Sequence, residues 1–154
     1  MYLIFKALHV FAVIAFLGNI TVGLFWKNFA DRTKDPAIMA HTIDGIIRAD
    51  RIFTIPGVIF ILIGGIGAAI VGSIPILSTG WLFWSIVLFV ISGLAFGPLA
   101  GAQRKMLVAA KANDMPLYHR LSKQWDIYGS IALIAPLIAV ALMVLKPALP
   151  SLHA

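Results

Sequence analysis

No cysteine and no glutamate occurs anywhere in the 154 residues. The first absence excludes disulfides, thiolate metal sites and thiol catalysis. The second leaves six aspartates as the whole stock of side-chain carboxylates, none of them deep in an apolar run. An ion-coupled transporter places a carboxylate near the membrane midplane, so that class is disfavoured. No nucleotide loop, nucleophile elbow, zinc motif or paired-carboxylate site is present either. Charge itself is scarce: 12% of residues are charged and 61% hydrophobic, where a soluble domain carries roughly 25% charge. With a mean hydropathy of +0.99, the apolar excess needs a bilayer as solvent.

Three stretches carry no charge at all: residues 7–26, 52–103 and 127–145. About twenty apolar residues cross the hydrocarbon core as a helix, so the first and third fit one span each. The middle stretch would be roughly 78 Å long as one helix, far beyond a core of about 30 Å. It must fold back, and Ser73-Ile-Pro-Ile-Leu-Ser-Thr-Gly80 supplies the turn chemistry. The expected fold class is all-α, a four-transmembrane-helix bundle forming one domain. Its spans are about 3–26, 52–72, 81–102 and 127–146, with loops 27–51 and 103–126. A soluble helical core fails because such runs leave no polar face. A cleaved signal peptide does not fit the first span, which has no basic cluster before it and no clear cleavage site.

Basic residues set the expected topology. The net charge of +6 is concentrated: ten of the twelve Lys and Arg fall in the two loops, with Lys6 and Lys146 alone near the ends. The positive-inside rule makes those loops cytoplasmic and both termini periplasmic, in a bacterial inner membrane. This placement points to the lipid bilayer as partner rather than nucleic acid. Trp26 and Trp125 are expected at the inner boundary, and Trp81 and Trp84 at the outer one.

Small residues mark expected helix contacts. Gly93, Gly97 and Gly101 form a small-xxx-small ladder, Gly64, Ala68 and Gly72 form a second ridge, and Asn19 lies on a face with Ala12 and Gly23. Packing inside the bundle is the first reading, a homo-oligomer or larger membrane complex the second. Pro98 and Pro136 are expected to kink their spans unless neighbours satisfy the freed carbonyls. The two halves look weakly alike, each a span, a charged segment and a span, which suggests two parallel two-helix repeats. Residues 37–47 and 116–125 read as short amphipathic stretches at the inner surface, with solvated connectors as the plainer reading.

Few side chains suggest chemistry. His9 is the only histidine within a span, roughly 10 Å below its outer end. An imidazole there suits haem iron, copper or proton relay, against local hydrogen bonding as the plain alternative. Met143, in the same outer half, is the geometrically open second haem ligand, although methionine in a span is usually packing. His41 and His119 lie on the opposite side and His153 in the tail. Arg48, Asp50 and Arg51 form a charged cluster at the entry to span two, read as an ion-paired interfacial anchor or, through Arg48 and Arg51, as a lipid or anion site.

The segments Phe5-Lys-Ala-Leu-His9, Arg48-Ala-Asp-Arg-Ile-Phe-Thr-Ile-Pro-Gly57 and Gly80-Trp81 resemble a bacterial family of predicted integral membrane proteins of unknown function, over essentially the whole chain. More distantly they resemble the four-helix membrane protoporphyrinogen oxidases of the HemJ type and the membrane domain of copper-resistance protein D. The oxidase resemblance implies that His9 binds haem b. It also implies a lysine five residues after Gly80, where this chain has Ser85, and that departure counts against oxidase activity. The expectation is a membrane protein leaning to no enzymatic role, binding haem b or a porphyrin through His9. A porphyrin-oxidising oxidoreductase, a copper-handling or transport component and a structural subunit are the alternatives.

Overall fold

A computed structural model describes residues 1–152; His153 lies outside them. The described chain is helical without strands: α1 (Tyr2–Thr33), α2 (Pro36–Ala49), a π-helical turn (Asp50–Thr54), α3 (Ile55–Val71), α4 (Gly80–Lys111) and α5 (Met115–Leu145). Four continuous helices result, since α2 runs through the π turn into α3, and all four are long and apolar enough to cross a membrane. The π turn has a local cause. Pro56 offers no N–H and would crowd the carbonyl of Ile52, and the wider turn relieves this by joining Ile55 N–H to the Asp50 carbonyl.

The residues 27–51 and 103–126, read as loops, are helical apart from tight turns at Lys34 and Asn113. Both turns use one device. A left-handed residue, Lys34 (φ 55°) or Asn113 (φ 56°), ends the first helix. The aspartate that follows caps the next, Asp35 accepting from Ala37 N–H (2.8 Å) and Asp114 from Leu117 N–H (3.1 Å), and proline sits in the opening turn. The amphipathic stretches therefore do not lie along a surface. They extend the spans.

At 32 residues, α1 and α4 are each about 48 Å long, some 18 Å more than a hydrocarbon core needs. The charge-free runs place the surplus at the end carrying the two tight turns. There the helices build a water-type core of Met39, Ile43, Met106, Tyr118, Leu121 and Trp125, with α2 showing His41, Gly45 and Arg48 outward. In the apolar half the buried cluster shrinks to Ala12, Phe16 and Ile61, because lipid, unlike water, does not force apolar side chains inward. Nine basic residues around the turn end are exposed, whereas Lys27 is buried inside α1. Trp125 also departs from the expected belt. It is core, 2% exposed, while Trp26 and Trp84 remain at the surface.

Helix contacts sort the glycines. Tyr2, Phe5, His9 and Phe16 of α1 press onto Gly72, which ends α3, and onto Gly67, Gly64 and Gly57 within it, so this ridge is an intramolecular seam. Added Cβ atoms at Gly93, Gly97 or Gly101 would meet nothing within 4 Å; no neighbouring helix closes on that ladder, against the first reading of it. The second hairpin, α4 with α5, is joined partly by serines. Ser85 Oγ donates to the Trp81 carbonyl (2.7 Å) and lies 3.2 Å from that of Ala139. Ser92 Oγ donates to the Ala132 carbonyl (2.8 Å), which is the carbonyl Pro136 deprives of its helical partner. Helix α5 accordingly continues through Pro136. At the terminal end the chain after α5 folds back over the start of α4. Its Pro150 carbonyl accepts from Trp84 Nε1 (3.1 Å), and Leu149 lies where a side chain at position 80 would have to be.

Candidate functional site

Three polar arrangements break the apolar interior. The first surrounds His9, which is half-buried where α1 meets α3. Its Nδ1 lies 2.9 Å from the Ile61 carbonyl oxygen. A carbonyl only accepts, so Nδ1 carries a proton, and in the neutral ring that leaves the lone pair on Nε2. Gly64 and Gly65 make this possible. Any Cβ at Gly64 would strike the His9 backbone at 2.7–2.9 Å, and one at Gly65 would sit 3.0 Å from Nδ1.

The second lies at the π turn. Asp50 is buried, 7% exposed. Its Oδ1 accepts from Asn19 Nδ2 (3.0 Å) and Thr54 Oγ (2.8 Å), and its Oδ2 from Gln103 Nε2 (3.0 Å). Asn19 Nδ2 also donates to Thr54 Oγ (2.9 Å). Helices α1 and α4 and the π turn thus converge on one carboxylate. Towards the terminal end, α3 packs on α1 and leaves an apolar cleft of about 280 Å³ facing α4, lined by Phe16, Ile20, Thr54, Val58, Phe89 and Phe96 among others.

The third joins α1 to α5. Lys27 is 1% exposed, and all three of its ammonium protons are accounted for. They go to Asp31 (2.9 Å), Asp126 (2.7 Å) and Ser122. Tyr118 OH (2.7 Å) and Ser122 Oγ (3.2 Å) donate to the Asp31 carboxylate. The ammonium also faces the Trp125 ring, 5.2 Å from its centroid.

The sequence-derived site residues are dispersed. Met143 is half-buried on α5, whose main partner is α4, whereas His9 lies on the seam of α1 with α3. The Arg48–Asp50–Arg51 cluster is split. Arg48 pairs with Asp44 at 2.8 Å on the surface, Arg51 is exposed, and Asp50 turns inward to neutral donors. Among the described residues no group of three or more histidine and carboxylate side chains gathers as a metal site. Asn19 does reach another helix, as its place on the packing face suggested. Missed altogether were Gln103 and the Lys27 network. The i, i+4 pairs Lys27/Asp31 and Ser122/Asp126, flanking charge-free runs, were the available signal.

Residues 3–147 match the model of a family described as predicted integral membrane protein, DUF2269. The chain belongs to that family. No match was found among curated proteins or among solved structures. Landmarks of the resemblance now have structural duties in this family member. Thr54, Pro56 and Gly57 shape the π turn and the seam against Phe16, and Gly80 admits the returning tail. The distant likeness to porphyrinogen oxidases and copper-resistance protein D rests on these short motifs alone.

Proposed function

We propose that the protein is a non-enzymatic inner-membrane protein that holds haem b or a free porphyrin through His9. The observation that carries the reading is the Nδ1 contact to the Ile61 carbonyl. Ligating histidines characteristically donate their other ring N–H to such an acceptor, which fixes the tautomer and aims Nε2 at the metal. The donor chemistry therefore fits an imidazole that could hold such a group. Haem iron, if bound, would be held by that nitrogen and would supply a Lewis-acidic centre there. His9 is the ligand on which this reading rests, Met143 lying on α5 and His9 on the seam of α1 with α3. The Ser85 hydroxyl is engaged by backbone carbonyls, so no proton-transfer group stands where the oxidases carry lysine, and the enzymatic alternative loses support. Among the described residues no group of three or more histidine and carboxylate side chains gathers around His9 to build a copper site.

Protein purified from a haem-competent host is expected to show a Soret band that is lost in His9→Ala. It should be lost equally in His9→Gln, whose amide retains a donor for the Ile61 carbonyl. A colourless, folded wild type overturns the reading.

The orientation belongs to the same proposal: turn end in the cytoplasm, both termini periplasmic. Nine exposed basic residues around that end support it. Reporter fusions at either terminus are expected to be active only in the periplasm, and cytoplasmic activity would refute it.

A further inference from the structure

The carboxylates of this chain divide unevenly. Asp31 and Asp126 share Lys27, and Asp44 pairs with Arg48. Asp35 and Asp114 are exposed and cap helix starts. Asp50 is the one buried aspartate among the described residues, and every donor it meets there, from Asn19, Thr54 and Gln103, is neutral. A buried carboxylate without a countercharge is costly, and at a membrane-spanning helix it is usually functional.

What lies next to it suggests the missing charge. Thr54 is at once a donor to Asp50 and part of the wall of the cleft between the hairpins. One residue, Thr54, therefore stands between the carboxylate and a space of about 280 Å³. The rest of that wall is aliphatic and aromatic, with Phe16, Phe89 and Phe96 contributing rings. Ring faces attract cations through their quadrupole. A metal ion needs a cage of oxygens to replace its water, and this wall offers none beyond hydroxyls of Thr54 and Ser92 that are already engaged. An anionic amphiphile would face the Asp50 charge. At the mouth, Ile55, Ile59 and Gly93 are exposed, and Gly93 has open space where a side chain would stand, so the cleft is reached from the side, through lipid.

We infer that the cleft between the two hairpins binds a lipophilic organic cation, its apolar body among Phe16, Phe89 and Phe96 and its charge towards Asp50 through Thr54. The site is separate from His9, which lies about two turns nearer the start of α1 than Phe16.

The probe is benzyltrimethylammonium, a permanent cation whose neutral carbon isostere is neopentylbenzene. Binding is measured on the full-length protein in detergent by ligand-observed NMR. Wild type is expected to prefer the cation by roughly tenfold. Asp50→Asn should erase that preference while leaving neopentylbenzene binding unchanged. Gly93→Leu, which closes the mouth without touching the carboxylate, should weaken both ligands, and it keeps the test decisive if the Asp50 variant does not fold. His9→Ala should change neither. Equal affinity for the two probes in wild type, or cation binding indifferent to both Asp50→Asn and Gly93→Leu, overturns the inference.

Discussion

Replacing Lys27 with methionine is expected to cost about 3 kcal/mol of stability, measured by denaturant unfolding in mild detergent. Methionine fills nearly the same volume, so the loss is electrostatic. Without the ammonium, the Asp31 and Asp126 carboxylates face one another with no cation between them, and Ser122 loses its donor. Removing one partner of a buried ion pair costs about 3–5 kcal/mol. The lower end applies because the Asp126 side chain is 44% exposed and partly screened by water. The double variant Lys27→Met, Asp126→Asn should recover part of the loss, since only Asp31 is then unpaired, and Tyr118 still donates to it. A Lys27→Met protein as stable as wild type would show that α1 and α5 do not depend on this pair.

Gly64→Ala should destabilise the first hairpin by about 1–3 kcal/mol, although alanine is the better helix former by about 1 kcal/mol. The added methyl would lie 2.7 Å from His9 N and 2.9 Å from its Cα. Backbone atoms of a helix cannot swing aside as a side chain can, so α1 and α3 must separate. That displacement would also loosen the contacts of Phe5 and Phe16 along the same seam. Gly101→Ala is the matched control, because nothing lies within 4 Å of a Cβ there. It is expected to be neutral or slightly stabilising in the same unfolding assay. A Gly64→Ala protein that behaves like Gly101→Ala would contradict the close approach of α1 and α3.

The pair of glycine variants also illustrates why the sequence was read correctly in one place and not in another. The spacing of Gly64, Ala68 and Gly72 marks a contact ridge, and the structure uses both of its glycines so, against His9 and Tyr2. Gly93, Gly97 and Gly101 have the same spacing, and no neighbouring helix closes on them. Small-residue spacing says that a close approach is sterically allowed, not that a neighbour is there. Pro136 shows the converse. Proline in a span reads as a kink, but Ser92, forty-four residues earlier in the chain, satisfies the carbonyl it frees. The charged segments were harder. Lys27 and Asp50 lie at the edges of apolar runs, where composition assigns them to solvent, yet the helices continue past the hydrocarbon level and bury both. Helical continuation was obscured because residues exposed to water restore ordinary amphipathic patterning there, which looks like a surface segment.

What the sequence determined alone is the solvent and the number of crossings. Uncharged runs of 20, 52 and 19 residues cannot be covered by this chain's few polar groups, and the length of a helix against bilayer thickness divides them into four. Tertiary structure decided which polar residues meet. Asn19, Asp50, Thr54 and Gln103 come from three helical segments, and Lys27 and Asp126 are ninety-nine residues apart. Hydropathy is a sum over neighbours in the chain, whereas a hydrogen bond depends on position in space. Only the packing of two hairpins brings these side chains within reach of one another.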